Sequence, residues 1–276
     1  MDHQGKVARL FKKAICYIIL FVMIIVIFFP IYWIISSSFK LKRDLLSSAP
    51  KFIFKPTWSN YATVLSRGRF IDGLVNTLIV VPLSLLVGIL LGVPAAYALA
   101  RFRFKYKNNL KFWLLSLRFL PPVAVVIPLY LIWLKFGLLD TYFALIFTYS
   151  LISLPIIILL MSEYIEAMPA EVEEAALVDG ASRIQVLSKI TLPTVMPAFI
   201  STVTFTFMVL WNEFFLAFVL TTEKVTLPVA VAAFAAIGVE IPWAEVCASA
   251  SLLMLPPLLL VAFFRRALVS FFLRQV

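Results

Sequence analysis

Residues 163–193 read EYIEAMPAEVEEAALVDGASRIQVLSKITLP and separate two long apolar stretches. This segment predicts two short helices that are joined at a glycine. Pro169 suits the first position of the first helix, and the glutamates that follow favour its positive end. Gly180 can adopt the positive φ that ends a helix, and Ser182 with Gln185 three residues later forms a capping box for the second helix. We therefore expect a rigid loop with a small-residue face.

The rest of the chain has the composition of a membrane protein. Of its 276 residues 63% are hydrophobic and only 14% are charged, and the mean hydropathy is +1.04. A soluble domain carries about 25% charged residues and about half apolar ones, so lipid must surround most of this chain. The net charge of +10 indicates topology and contact with lipid headgroups. We expect a bilayer as the partner and no nucleic acid, since no soluble basic domain is present.

Six stretches are long and apolar enough to cross a bilayer, which takes about 20 residues per helix. They comprise residues 14–35, 73–100, 112–134, 141–162, 194–222 and 246–264. Only helices can span in this way, because each segment must satisfy its own backbone polar groups. The predicted fold class is therefore all-α integral membrane, with one transmembrane domain over residues 1–276 and the 163–193 loop between the fourth and fifth spans.

Two details of the apolar stretches bear on packing. Gly88, Gly92 and Ala96 recur every four residues in the second span, a spacing that either lets another helix approach closely or arises by chance among many small residues. A seventh apolar run, 225–239, is short and contains Pro228, so we expect a re-entrant or interfacial segment.

Six spans place both termini on one side of the membrane, and the positive-inside rule makes that side cytoplasmic. The 163–193 loop lies on the same side. One loop opposes this assignment, because residues 36–72 are expected outside yet hold seven basic residues; the length of that loop weakens the rule there. Besides the basic residues of the 163–193 loop, those on the cytoplasmic side are Lys6, Arg9, Lys12, Lys13, Arg101, Arg103, Lys105, Lys107, Lys111, Arg265, Arg266 and Arg274.

The sequence offers little for catalysis or metal binding. Cys16 and Cys247 lie in apolar stretches, and His3 is the only histidine. No pattern of nucleophile, base or metal ligands is present, so we predict no catalytic residues and no metal site. The motif G-x-x-x-x-G-K-S/T is also absent, which indicates that any nucleotide phosphates are bound by another chain.

The 163–193 loop resembles a known signature. Glu174-Ala175-Ala176, Gly180 and then Ile190-x-Leu192-Pro193 are similar to the "EAA" motif of bacterial ABC-importer permeases. The resemblance implies that the loop is a coupling element, which docks into a groove on a separate ATPase subunit. It assigns this role to Glu174, Ala175, Ala176, Asp179, Gly180, Ile190, Leu192 and Pro193.

The resemblance extends over nearly the whole chain and points to the carbohydrate branch, with the smaller, six-span subunit of the maltose-type pair as the best match. Leu117–Pro122 is similar to the disaccharide and polyol relatives. The runs that carry this resemblance are Ser38-Phe39-Lys40, the Ala95–Arg101 segment, Ile127–Tyr130, Gly137–Tyr142 and Trp211–Phe214.

The resemblance implies a type I ABC-importer permease fold in a prokaryotic cytoplasmic (inner) membrane, and a chain that is not itself an enzyme. It implies a second, larger permease subunit, an ATPase dimer that binds ATP and Mg²⁺, and an extracytoplasmic sugar-binding protein. The expected substrate is an oligosaccharide, a disaccharide or a polyol. One departure concerns the C-terminus: family members often end in a Gly- and Lys-containing tail, whereas residues 271–276 read FFLRQV, so no tail contact with the ATPase is implied.

Two charged side chains fall inside predicted spans, where a charge costs roughly 2.5–3.5 kcal/mol and therefore needs a reason. Glu213, with Asn212 and Trp211 beside it, either lines a substrate pathway or fixes neighbouring helices through a buried hydrogen bond. Arg118 either faces the same pathway or extends its head towards the cytoplasmic interface. On the first interpretation, the amide and the carboxylate exchange hydrogen bonds with sugar hydroxyls and the indole stacks on a sugar face.

The competing class is a proton- or ion-coupled secondary transporter. Such a protein needs several intramembrane acids or broken-helix ion sites. Only Glu213 qualifies here, and no inverted repeat is evident. The importer permease is therefore the favoured interpretation.

Overall fold

The structure, a computed structural model, describes residues 2–235 and 241–273, and the surroundings of side chains within 13–235 and 241–265. The chain is 79% helical and the described residues contain no strand, which confirms the all-α prediction. Some predictions concern residues whose side chains lie outside these ranges. These are five basic residues of the topology argument, Lys6, Arg9, Lys12, Arg266 and Arg274, and the C-terminal segment 271–276.

Most of the helices follow one another with short connections, the stretch 46–58 between α2 and α3 being longer. In chain order they are α1 (Asp2–Ser38), α2 (Lys42–Leu45), α3 (Ser59–Ser66), α4 (Gly68–Arg101), α5 (Lys107–Leu117), α6 (Pro122–Lys135), α7 (Tyr142–Glu166), α8 (Glu171–Val178), α9 (Arg183–Val186), a π-helical turn (Leu187–Thr191), α10 (Leu192–Thr194), α11 (Met196–Trp211), α12 (Phe215–Leu220), α13 (Leu227–Phe234) and α14 (Trp243–Leu273).

Within the described residues four helices are long and apolar enough to cross a membrane: α1, α4, α7 and α14. Two bent pairs would bring the number to six if each counts as one span. One pair is α5 with α6, which meet at 90°, and the other joins Arg183–Thr194 to α11 at 84°. The predicted ranges 112–134 and 194–222 are therefore not continuous helices.

Proline chemistry explains the break between α5 and α6. Pro121 and Pro122 follow the last turn of α5, and proline lacks the N–H that would continue a helix. Pro122 instead begins α6, where a missing N–H costs nothing.

The short apolar run 225–239 contains α13, whose eight residues rise about 12 Å and cannot cross a bilayer. Residues 236–239 lie outside the described part, so the re-entrant or interfacial segment stays a prediction.

The chain divides into two compact units, Met1–Arg67 with Val231–Leu253 and Gly68–Ala230 with Met254–Val276. In the first unit every described side chain of α1 up to residue 30 is exposed. Beyond α1, Lys40 is only 1% exposed, and its Nζ lies 4.1 Å from the centroid of the Trp33 ring and 5.1 Å from that of Phe54. Burial lowers the pKa of Lys40. The aromatic faces stabilise a cation that water does not reach.

In the second unit, α4 and α7 pack closely through small residues. A Cβ on Gly88 would collide with Ser153 Oγ, and one on Gly92 would lie 2.9 Å from Ile157 Cγ2. Of the two explanations for the four-residue spacing, the structure supports close helix approach. We name the end of this pair that carries Arg101 the basic end.

At the other end, Asp140 holds the segment that follows α12. Its backbone has a φ of 57°, its N–H donates to the carbonyl of Leu220 (3.1 Å), and its carboxylate accepts the N–H groups of Thr222 (3.1 Å), Glu223 (3.1 Å) and Lys224 (2.8 Å). Partial burial works to raise the pKa of Asp140, but these donors outweigh it and the pKa lies below its ordinary 3.8. The stabilisation is therefore present above pH 3.8 and is lost only as the pH falls through the lowered pKa.

The helix contact predicts the effect of filling the small-residue groove. Gly88→Val should force α4 away from α7 and lower the free energy of unfolding by about 1–3 kcal/mol, the usual cost of overpacking. The thermal unfolding midpoint in detergent measures this. Gly68→Val is the matched control, because the nearest atom to a Cβ there is 3.9 Å away. Equal midpoints for the two variants would show that the contact does not hold the helices together.

Candidate functional site

The 163–193 loop has the two-helix form that its sequence predicts. Gly180 has a φ of 89° and follows α8. The capping box is present in both directions: the N–H of Gln185 donates to Ser182 Oγ (3.3 Å), and the N–H of Ser182 donates to Gln185 Oε1 (2.8 Å). One detail differs, because α8 begins at Glu171 and not at Pro169.

Ion pairs attach the base of this loop to α5. Lys111 Nζ lies 3.0 Å from a carboxylate oxygen of Glu163 and 2.8 Å from one of Glu166, and Lys107 Nζ lies 2.8 Å from the other oxygen of Glu166. These side chains are only partly buried, so water screens their attraction and each pair contributes little stability. They do place the basic first half of α5 and the end of α7 at the same level.

The residues assigned to coupling separate into two groups. Glu174, Ala175, Asp179, Gly180 and Pro193 are exposed. The half-buried ones are Ala176, Ile190 and Leu192, of which Ala176 and Leu192 pack against the hydrophobic core of the second unit. The exposed group is available to another chain, whereas the half-buried group secures the loop to the helices beneath it.

Two apolar residues of this surface were missed from the sequence. Val178 is 87% exposed and Ile184 is 79% exposed, which is unusual for large apolar side chains outside the lipid-facing spans. The spacing in the sequence could have identified Val178. It follows Glu174 by four residues and Ala175 by three, so all three share one face of α8. With Glu171, also exposed, they form what we call the outer face of α8.

Three of the four candidate pathway residues, Trp211, Asn212 and Glu213, lie at a break in the fifth predicted span. Asn212 is exposed, and its Nδ2 donates to the carbonyl of Met208 (2.8 Å). Glu213 Oε1 accepts the N–H of Leu216 (2.8 Å), and Tyr149 Oη donates to the Glu213 carbonyl (3.1 Å). The carboxylate therefore stabilises the first turn of α12.

The other two candidates, Trp211 and Arg118, have different surroundings. Trp211 is fully buried and its indole stacks on Phe207 with centroids 5.3 Å apart, so the ring offers no face to a sugar in this structure. Arg118 is exposed at the end of α5, and its guanidinium carbon lies 5.9 Å from the Phe205 ring centroid. Among the described ion pairs none joins Arg118 to Glu213.

These features define a polytopic helical membrane protein with a projecting two-helix loop. The same architecture occurs in a bacterial ABC transporter involved in the import of the acidic polysaccharide alginate. The chain is 24% identical to that protein, with a TM-score of 0.75 over 92% of this chain and 94% of the other. This likeness shows the fold, which is that of type I ABC-importer permeases.

Residues 85–274 match the family model described as binding-protein-dependent transport system inner membrane component. The chain is 34% identical over 263 residues to the trehalose/maltose transport system permease protein MalG of Thermococcus litoralis, covering 94% of each. It is 30% identical over 252 residues to the diacetylchitobiose uptake system permease protein DasC of Streptomyces coelicolor, covering 90% of this chain and 91% of that one. This protein belongs to the binding-protein-dependent inner membrane permease family, which confirms the resemblance seen in the sequence.

The contacts of Glu213 allow its structural and pathway roles to be separated by two variants. Glu213→Gln keeps an oxygen for the Leu216 N–H but loses the charge, so assembly should be retained while uptake falls. Glu213→Ala also loses the hydrogen bond, worth about 1.5–3 kcal/mol for a charged acceptor, and should lower the unfolding midpoint. Uptake into membrane vesicles and thermal unfolding measure the two effects. Normal uptake by an assembled Glu213→Ala variant would contradict a pathway role.

Proposed function

We propose that this chain is the smaller permease subunit of an ATP-driven, binding-protein-dependent importer of a carbohydrate. The observation that carries the proposal is the outer face of α8, an exposed and partly apolar surface on a rigid loop. Membership of the permease family supports it. The names of two relatives, which refer to trehalose/maltose and diacetylchitobiose, support a carbohydrate as substrate.

The loop and the basic start of α5 face the cytoplasm in this proposal. The ion pairs of Lys107 and Lys111 with Glu163 and Glu166 support this orientation, because they bring the loop to the end that the positive-inside rule assigns to the cytoplasm. Both termini are then cytoplasmic, and Asp140 is external.

The partners follow from the same proposal. A second, larger permease chain completes the pathway, and an extracytoplasmic sugar-binding protein delivers the substrate. A separate ATPase dimer binds ATP with Mg²⁺ and receives the outer face of α8. When the dimer closes on ATP, the loop moves with it and the pathway opens outward; after hydrolysis the pathway opens inward.

The pathway residues have chemistry that suits a polyhydroxylated substrate. Asn212 is exposed, and Glu213 is only partly buried beside it. An amide and a carboxylate can exchange several hydrogen bonds with sugar hydroxyls. We assign these two residues, with Arg118, to the pathway, whereas the buried Trp211 supports the helix behind them.

A first experiment tests the assembly itself. The tagged chain is purified from its native membranes in mild detergent, and the proteins that accompany it are identified. A second multi-span permease and an ATPase are expected, and ATP should drive sugar uptake by the reconstituted complex. A chain that purifies alone, with uptake that follows an ion gradient, would overturn the proposal in favour of a secondary transporter.

The exposed valine gives a sharper test of the docking surface. Val178→Asp should weaken retention of the ATPase by roughly tenfold or more, because a charge would be desolvated at the centre of an apolar contact. Folding should be unaffected, since the side chain is 87% exposed. Ile53→Asp is the matched control, an exposed branched apolar residue (96%) in the loop expected outside. Equal ATPase retention in both variants would exclude Val178 from the interface.

A further inference from the structure

One residue of the 163–193 loop faces inward. Of the eight residues of α8, only Glu173 is buried, at 2% exposure. Its Oε2 accepts the Nε–H of Arg101 (2.8 Å), and its Oε1 accepts Arg101 Nη2 (3.3 Å) and Thr191 Oγ1 (2.7 Å). Both carboxylate oxygens are therefore used inside the protein.

The partners of this carboxylate belong to different elements. Arg101 is the last residue of α4, and its Nη2 also donates to the carbonyl of Met168, just before α8. Thr191 is the last residue of the π-helical turn, which leads towards α11. Glu173 thus joins the first helix of the loop to the second predicted span, and also to the turn that leads to the fifth.

A second contact joins the same parts. The guanidinium carbon of Arg183, at the start of α9, lies 5.6 Å from the centroid of the Phe102 ring, directly after α4. Both helices of the loop are therefore attached to the end of α4, although α4 is not adjacent to the loop in the chain.

The Glu173–Arg101 pair resists separation. Pulling it apart would leave a buried charge without a partner, which is strongly unfavourable, and the two-point geometry of the guanidinium also fixes the orientation. The pairs of Lys111 with Glu163 and Glu166 differ, because their side chains are 20–66% exposed and water can replace either partner. When the loop moves, α4 must therefore follow it, in addition to the two spans that flank the loop in the chain.

The far end of α4 holds a further segment. Asn76 Nδ2 donates to the carbonyl of Val225 (2.8 Å), and Thr77 Oγ1 accepts the N–H of Leu227 (2.7 Å). These residues lie about 24 positions before Arg101, or about 36 Å along the helix. A displacement of α4 at the basic end consequently reaches residues 225–227 at the opposite end.

We propose that Glu173 is a positioning residue that transmits movement of the docked loop to α4, and through α4 to residues 225–227. The inference rests on the proposed function, since it concerns how the same loop transmits the movement of the ATPase to the membrane spans. The two spans that flank the loop in the chain already receive its movement. The inference adds α4, the second predicted span, as a further route by which that movement is transmitted.

The test uses the complete complex, reconstituted in proteoliposomes, and compares sugar taken up per ATP hydrolysed. In Glu173→Gln and Arg101→Lys this ratio should fall about three- to thirtyfold while the ATPase stays bound and active. Glu163→Gln is the matched control, because Lys111 keeps Glu166 as its partner, and its ratio should equal that of the wild type.

A second measurement reports directly on residues 225–227, at the end of α4 opposite Arg101. Lys224→Cys, in a chain with Cys16→Ala and Cys247→Ala, is labelled with a maleimide with and without a non-hydrolysable ATP analogue. The analogue should change the labelling rate in the otherwise wild-type chain, and Glu173→Gln should abolish that change.

The inference would be overturned if Glu173→Gln and Arg101→Lys kept the wild-type ratio of uptake to hydrolysis and the analogue still changed the labelling rate in Glu173→Gln. Equal losses of ATPase binding, hydrolysis and uptake in both variants would also overturn it, since these would indicate a contact that only supports folding. Failure of the proposed function has a different signature, because the wild-type complex itself would then lack a bound ATPase or ATP-dependent uptake.

Discussion

The packing of α4 along α7 is the contact on which the second unit depends. Lipid provides no hydrophobic force to hold two apolar helices together, so their association rests on close van der Waals contact and on hydrogen bonds between them. Gly88 lacks the side chain that would collide with Ser153. Ser84 Oγ, on α4, lies 3.2 Å from the carbonyl of Ile146 on α7. Both the loop and the break in the fifth predicted span are built on this pair of helices.

Polar contacts fix the two ends of the pair. The Glu173 carboxylate occupies one end and the Asn76 amide the other, and both are buried. A buried polar group that loses its partner costs free energy, so these contacts tie the loop and residues 225–227 to α4 more firmly than an exposed ion pair could. The same principle applies to three charged residues of this chain: Lys40 is buried against aromatic rings, Arg101 is paired with Glu173, and Asp140 accepts three backbone N–H groups.

The loop could be predicted from the sequence because its signals are local. The glycine turn at Gly180 and the capping box of Ser182 each depend on residues within one helical turn. The Glu173–Arg101 pair could not, since its members lie 72 positions apart and only the packed fold brings them together. The surroundings of Trp211 could not be predicted either, because membrane helices are apolar on every side and periodicity does not distinguish the face towards lipid, protein or pathway.

The break in the fifth predicted span shows why a structural role and a pathway role need not compete. An interrupted helix at membrane depth is tolerated only where its free backbone groups find partners or line a cavity. Glu213 accepts the Leu216 N–H with its side chain and the Tyr149 hydroxyl with its carbonyl. Its carboxylate thereby stabilises the interruption at 212–214, which in turn leaves Asn212 exposed. The residue that stabilises the break is thus also the one that exposes the polar groups we assign to the pathway.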